Sequence, residues 1–318
     1  MALTLAQSAL LSTNDLQRGV IETFVQESPV LDRLPLLPIQ GNAYAYNEEA
    51  TLPGVAFRAV NEAYVESTGT VNQKTESLVI LGGDADVDRF IVQTRGNLND
   101  QRAVQTAMKV KAASYKFQDT FFNGDVAVDT KSFDGLKKRL TGAQVIDAGT
   151  NGAPVLGNGG TDAQTFFDAL DALVAAVPGI NGQNGAIYAN ASIIAKIRSA
   201  GRRLGGVDMV REDLTNKRVM QWNGIPVLDP GMTAAGANIL PQTETQGSSN
   251  VASSVYAVKF GQDEGDQAVT GLTNGGIDVR DLGEIAEKPV FRTRIEFYCG
   301  LAVFGGKAAA RLRGVLAS

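Results

Sequence analysis

Apolar positions recur every three to four residues from Ser12 to Glu27, with Leu16, Val20 and Phe24 on one stripe and Ile21 and Val25 beside them. Ser12, followed three residues on by Asp15, supplies an N-terminal cap, so this stretch predicts an amphipathic helix. The next segment, SPVLDRLPLLPIQG, breaks that period with Pro29, Pro35 and Pro38. It predicts an extended arm whose leucines, Leu34, Leu36 and Leu37, are exposed and need a partner surface. From Asn42 the period shortens to two: Tyr44 and Tyr46 alternate with Ala43, Ala45 and Asn47, and TVNQKTESLVILGG restores a strand from Val71 to Leu81. The two runs predict a long hairpin whose middle, Glu48 to Thr70, is too polar to form a core. Two strands alone are marginal in water, so the segment is either a disordered insertion or has another molecule as its partner.

Beyond the hairpin, VDRFIVQT reads as a strand. A helix is expected from Asn99 to Asn123, with Val104, Met108, Lys111 and Tyr115 spaced by turns and Gly124 as its stop. At 1.5 Å per residue it would span about 36 Å. A second unit follows: a helix from Thr161 to Val177 ended by Pro178 and Gly179, the strand GAIYAN, the helix ASIIAKIRSAGRRL, and RVMQWNGIPVLDPG as strand and turn. A Gly-, Ser-, Thr- and Gln-rich loop over Thr233 to Ser254 leads to the strand SVYAVKF. Helices interleaved with strands imply a mixed sheet flanked by helices, an α+β fold. The C-terminal part is strand-rich: GIDVRDLG, then PVFRTRIEFYCGLAVF, where Phe291, Thr293, Ile295 and Phe297 alternate against Arg292, Arg294 and Glu296, and finally AAARLRGV. No internal repeat is visible.

Composition narrows the function. With 318 residues, 44% hydrophobic and 20% charged, the chain can bury a real core, and the length prior is about two domains. A net charge of −5 disfavours a protein that grips nucleic-acid phosphates with a broad basic face. There is no histidine, which removes the usual general base, the Ser-His and Cys-His pairs and the His-containing zinc sites. The single cysteine, Cys299, has no internal disulfide partner and sits in an apolar run, as a buried packing residue would. No stretch approaches the roughly 18 apolar residues of a membrane span, and the start lacks the basic region of a signal peptide. Mature cytosolic sequence is expected.

The candidate chemical motifs all depart from their templates. GLAVFGGKA misses the phosphate-loop spacing, because Leu301 stands five residues before Gly306 and Ala308 replaces the metal-binding hydroxyl. GNGGTDAQTFFDAL has Asp162 where a dinucleotide loop needs its third glycine, so it reads as a loop and helix cap. DADVD, from Asp84 to Asp88, opens like a calcium loop but has Arg89 at the turn-glycine position and Arg95 at the bidentate-glutamate position; as a strand it presents three aspartates on one solvated face. NAS at Asn190 is a glycosylation triplet that carries meaning only in a secreted protein. No cofactor or metal is implied.

The order of these elements, together with the phrases WNGIPVLDPG and FRTRIEFYCGLAV, resembles the major capsid proteins of tailed bacteriophages, whose Hong Kong 97-type fold is shared with encapsulins. The resemblance implies an N-terminal arm over residues 1–40, an extended hairpin called the E-loop over 41–94, and a P-domain with a long spine helix over 95–148. An A-domain follows over 149–270, and C-terminal strands over 271–318 return to both domains. It implies a non-enzymatic, self-assembling protein of the virion capsid, built in the host cytoplasm as hexamers and pentamers around double-stranded DNA held without sequence-specific contacts. Its implied partners are further copies of itself, a separate scaffolding protein, a portal protein and a decoration protein. The hairpin and arm would lie across neighbouring subunits, with Tyr44, Tyr46, Phe57, Arg58, Tyr64, Leu34, Leu36 and Leu37 as candidate contacts. An encapsulin-like compartment carrying cargo enzyme is the alternative, and a carboxylate-based enzyme with the hairpin as a lid is a third. Some relatives cleave an N-terminal scaffolding segment, and the residues before Leu16 are too few for one. Others join an E-loop Lys to a P-domain Asn. Here the hairpin offers only Lys74, and IAEKPVFR holds Glu287 but no Asn, so covalent cross-linking is not expected.

Overall fold

The computed structural model describes residues 28–95, 101–157, 160–204, 209–211 and 218–317. The helix expected over Ser12 to Glu27 lies outside these residues. In chain order the strands are β1 (Leu36–Pro38), β2 (Ala43–Thr51), β3 (Thr70–Ser77), β4 (Val79–Asp88), β5 (Val145–Asp147), β6 (Ala153–Pro154), β7 (Gly185–Tyr188), β8 (Met209–Arg211), β9 (Arg218–Trp222), β10 (Ile225–Leu228), β11 (Glu244–Gln246), β12 (Ser249–Lys259), β13 (Val269–Glu284), β14 (Val290–Val303) and β15 (Ala309–Leu316). The helices longer than one turn are α1 (Arg89–Arg95), α2 (Gln101–Asn123), α3 (Gly160–Ala175) and α4 (Ala191–Leu204).

Two sheets organise the body. One has the order β1-β13-β14-β4, antiparallel except for the parallel pairing of β1 on β13. The alternation expected in β14 holds: Thr293, Ile295, Phe297 and Cys299 are buried, while Arg292, Arg294, Glu296 and Tyr298 point the other way. The buried face packs on α2, where Phe117 lies 6.0 Å from Phe297. The other sheet runs β5-β15-β12-β7-β10-β9-β8, with β6 on β15 and β11 on β12. Its strand β7 is buried at every position because the sheet is covered on both sides. Ala186 and Tyr188 face the cluster that holds α2 and residues 30–34, whereas Ile187 and Ala189 face α3 and α4. The third sheet is the hairpin β2-β3 alone.

Several expectations need correction. The run expected as one strand from Val71 to Leu81 is two strands in different sheets, split at Leu78, whose N–H donates to the Asn42 carbonyl at 2.8 Å. VDRFIVQT is not a strand throughout. β4 ends at Asp88, whose carboxylate accepts from the Phe90 N–H at 2.7 Å and so caps α1. The aspartates of DADVD are engaged rather than merely solvated. Arg294 grips Asp84 through two bonds of 2.8 and 2.9 Å, and Arg292 grips Asp86 at 2.7 and 2.6 Å, each pair directly cross-strand. The loop expected over Thr233 to Ser254 contains the hairpin β11-β12, turned at Gly247 with φ 57°.

The extended arm is also different. Residues 28–39 are tied into the body: Val30, Leu31 and Leu34 join the α2 core, and Leu36 packs there too. Gly271 explains how this is possible, because a Cβ on it would lie 2.5 Å from a Leu36 methyl and 3.1 Å from a Leu34 methyl. The missing side chain is the slot these leucines fill. Pro35 lacks an N–H, but its carbonyl accepts from Gly271 N at 2.9 Å, so the prolines cost the parallel ladder nothing there.

Candidate assembly surfaces

The hairpin has a fixed root and an unsupported tip. At the root, Tyr46 is buried in the chain's own satellite core of Ile39, Leu272, Ala302 and Phe304. Its ring meets Phe304 edge-on at 4.9 Å, and its hydroxyl donates to the Val303 carbonyl at 3.2 Å. Burial pushes the Tyr46 phenol up to about 12. Tyr44 is half-buried beside it and donates to a Glu264 carboxylate oxygen at 2.6 Å, a bond that raises its own phenol to about 12. On β3, Glu76 takes a two-pronged grip from Arg139, with one bond of 2.7 Å, and Lys74 lies 2.5 Å from Glu48 across the hairpin.

The tip runs from Leu52 to Gly69. Thr51 and Thr70 share a hydroxyl bond of 2.6 Å at its neck, and Ser67 Oγ donates to the Gly54 carbonyl at 3.0 Å. A turn at residues 59–62 is closed by the Ala59 N–H donating to Glu62 Oε2 at 2.9 Å, and Arg58 stacks 5.2 Å above the Tyr64 ring. These bonds fix a shape without a core. Leu52, Val55, Phe57, Val60, Tyr64 and Val65 are all exposed, Val55 at 95% and Phe57 at 107% of full accessibility. Such a run of uncovered apolar side chains marks an interaction surface.

Among the sequence candidates, the structure therefore keeps Phe57, Arg58 and Tyr64 together on an open tip. Leu34, Leu36 and Tyr46 are corrected: they are covered by their own chain, the first two through the Gly271 slot and the third by Phe304. Leu37 is partly buried against the hairpin root. Pattern reasoning missed Ile80 and Phe90, each 71% exposed: Ile80 lies in a strand as expected, but in β4 beyond the split at Leu78, and Phe90 lies in α1 rather than in a strand. The weak motifs take ordinary roles. Asn190 is buried and caps α4, accepting from Ser192 N at 3.0 Å and donating to the Leu240 carbonyl at 2.6 Å. GLAVFGGKA is the end of β14 and the turn into β15, with no helix after it. Cys299 is fully buried, and burial pushes its thiol up to about 12.

The family model of major capsid protein GP7 matches residues 12–164. Solved structures match nearly the whole chain. The SrpI encapsulin from Synechococcus elongatus superposes with a TM-score of 0.65 at 18% identity, over 91% of this chain and 88% of that one. Two further structures match over similar spans. The capsid of a native GTA particle gives a TM-score of 0.60 at 15% identity, over 91% and 90% of the two chains. Mycobacterium phage Bobi gives 0.56 at 16% identity, again over 91% and 90%. The fold is the Hong Kong 97-type capsid fold. The resemblance to tailed-phage major capsid proteins, with its relation to encapsulins, is borne out in the fold, and over residues 12–164 in the family model. No curated protein matches the sequence.

Proposed function

We propose that this protein is the shell-forming subunit of a tailed-phage capsid, assembling into the hexamers and pentamers of an icosahedral shell around double-stranded DNA. The observation that carries the proposal is the hairpin: a root held by Tyr46, Glu76 and Arg139, and a tip whose apolar side chains find no cover within the described residues. A rigid stem with an uncovered end suits an arm laid over the next subunit. Repeated head-to-tail contacts of this kind close into rings and shells. In this reading residues 41–94 form the E-loop, 95–148 with strands from 271–318 form the P-domain, and 149–270 form the A-domain. A scaffolding protein, a portal protein and a decoration protein are the expected partners, and the family implies no enzymatic role. The acidic balance fits a container that encloses DNA without gripping it, because many of its arginines and lysines are engaged by carboxylates of the same chain.

Size exclusion with light scattering, followed by electron microscopy with and without a scaffold, tests the assembly. Capsomers or shells are expected, and a stable monomer under both conditions overturns the proposal. The TM-score of the encapsulin supports a second reading, a compartment filled with cargo protein. The contents of purified particles separate the two: nuclease-protected DNA supports the phage capsid, and protein cargo without DNA supports the compartment.

A further inference from the structure

The two helices that cover one face of the larger sheet divide the charge between them. α3 holds Asp162, Asp168 and Asp171 with no Lys or Arg, and α4 holds Lys196, Arg198, Arg202 and Arg203 with no Asp or Glu. Each helix buries one side in the same core: Phe166, Leu170 and Leu173 from α3, Ile193, Ile194 and Ile197 from α4. Each also turns a matching stripe outward. Gln164, Asp168, Asp171 and Ala175 on α3, and Ala191, Ala195, Arg198 and Arg202 on α4, are all exposed and follow the same helical spacing. Beside the α3 stripe, Trp222 at the end of β9 stacks on Phe167 with ring centres 4.8 Å apart, and its Nε1 donates to Asp171 Oδ1 at 2.7 Å. Among the described residues no carboxylate meets Lys196, Arg198, Arg202 or Arg203, and no cation meets Asp168 or Asp171.

A cation in the last turn of a helix complements its dipole, which accounts for Arg202 and Arg203, but Arg198 stands before that turn. We propose that the two stripes are halves of one contact between copies of this chain, with Arg198 and Arg202 of one copy docked on Asp168, Asp171 and the Trp222 ring of another. The spacings agree: Arg198 and Arg202 stand about 6 Å apart along their axis and Asp168 and Asp171 about 4.5 Å, within reach of two side-by-side ion pairs. A guanidinium suits this site, because it bonds a carboxylate through two N–H groups and stacks on an aromatic face. Ala191, Ala195 and Ala175 keep the rest of both stripes low, so the helices can approach closely. A second copy is the occupant because the chain itself supplies both charges at the same spacing, on helices whose outward faces point away from their shared core. The contact adds to the reading of a shell without needing it.

The test uses the full-length chain in two charge-reversed forms, Arg198→Glu with Arg202→Glu, and Asp168→Arg with Asp171→Arg. Sedimentation velocity at low ionic strength, without a scaffold, reads association, and thermal melting checks that each form folds. Each form alone should associate at least about tenfold more weakly than the parent, because like charges then face each other, and an equimolar mixture should recover the parent's affinity within about threefold. Salt should weaken the parent and the mixture alike. Asp168→Arg alone keeps the Trp222 bond and replaces the double form if that one does not fold. A parent that stays monomeric at low salt, reversed forms that associate as the parent does, or a mixture no tighter than its components overturns the proposal. Shells built by reversed forms that associate like the parent would sink this contact and leave the capsid reading standing; charge-dependent association without shells would do the opposite.

Discussion

Phe57 gives the sharpest test of the hairpin, because its environment in the isolated chain and in a shell should differ completely. Its side chain is fully accessible and touches no core within the described residues. Replacing it with Ser therefore removes nothing from the folded subunit, and the unfolding free energy should stay within about 0.5 kcal/mol of the parent. In a shell the same ring would be buried on the next subunit. Full burial of such a side chain is worth about 1.5–3 kcal/mol, and the loss recurs at every copy of the contact. Phe57→Ser should thus leave the thermal transition of unassembled subunits unchanged while shells form poorly or dissociate at lower guanidinium concentration. Chemical denaturation of the unassembled chain and electron microscopy of assembly reactions read the two halves separately. If the substitution destabilises the unassembled subunit by more than about 1 kcal/mol, the tip belongs to an internal core and the argument fails; unaltered shells would equally refute it.

The root should behave in the opposite way. Tyr46→Ala should cost about 3–5 kcal/mol in unfolding of the subunit itself, through the cavity left beside Phe304, and a change below about 1 kcal/mol would contradict the packing seen at the root. Tyr46→Phe keeps the ring and loses only the bond to the Val303 carbonyl, so about 1 kcal/mol is expected in the same denaturant titration. The Asp84–Arg294 and Asp86–Arg292 pairs predict acid sensitivity: the arginine bonds hold both carboxyls below their usual range, so their stabilisation is present above about pH 4 and lost as the pH falls through the depressed folded-state values. Both carboxylates are partly exposed, so the effect is modest, and an Asp84→Asn, Asp86→Asn double variant should flatten the stability profile below about pH 4; an unchanged slope would argue against the pairs. Lys74 lies against Glu48, and finished particles boiled in denaturing detergent with reductant should give one band at the chain mass of 33.5 kDa; a ladder abolished by Lys74→Ala would reveal covalent joining.

Periodicity alone was enough for the regular elements whose side chains meet one uniform environment. The alternation in FRTRIEFYC was readable because one face of β14 meets α2 and the other meets charge partners, and the helical spacing in α2, α3 and α4 was readable for the same reason. The hairpin was also legible, and Phe57, Arg58 and Tyr64 were among its expected contacts, but its middle read as polar whereas the tip exposes Leu52, Val55, Val60 and Val65 as well. What the sequence could not carry was pairing between distant residues. The fate of Leu34 and Leu36 depends on the absent side chain at Gly271, more than 230 residues away, and that of Tyr46 on Phe304; both turn residues that look exposed into core. The strand-to-helix switch at Asp88 and the split at Leu78 were decided by which sheet each segment joined, a choice made by hydrogen bonds that leave no period in the chain. Local patterns record how a residue meets its neighbours in sequence. Only the folded chain decides which distant surface comes to cover it, because that cover is assembled from elements whose meeting no short stretch encodes.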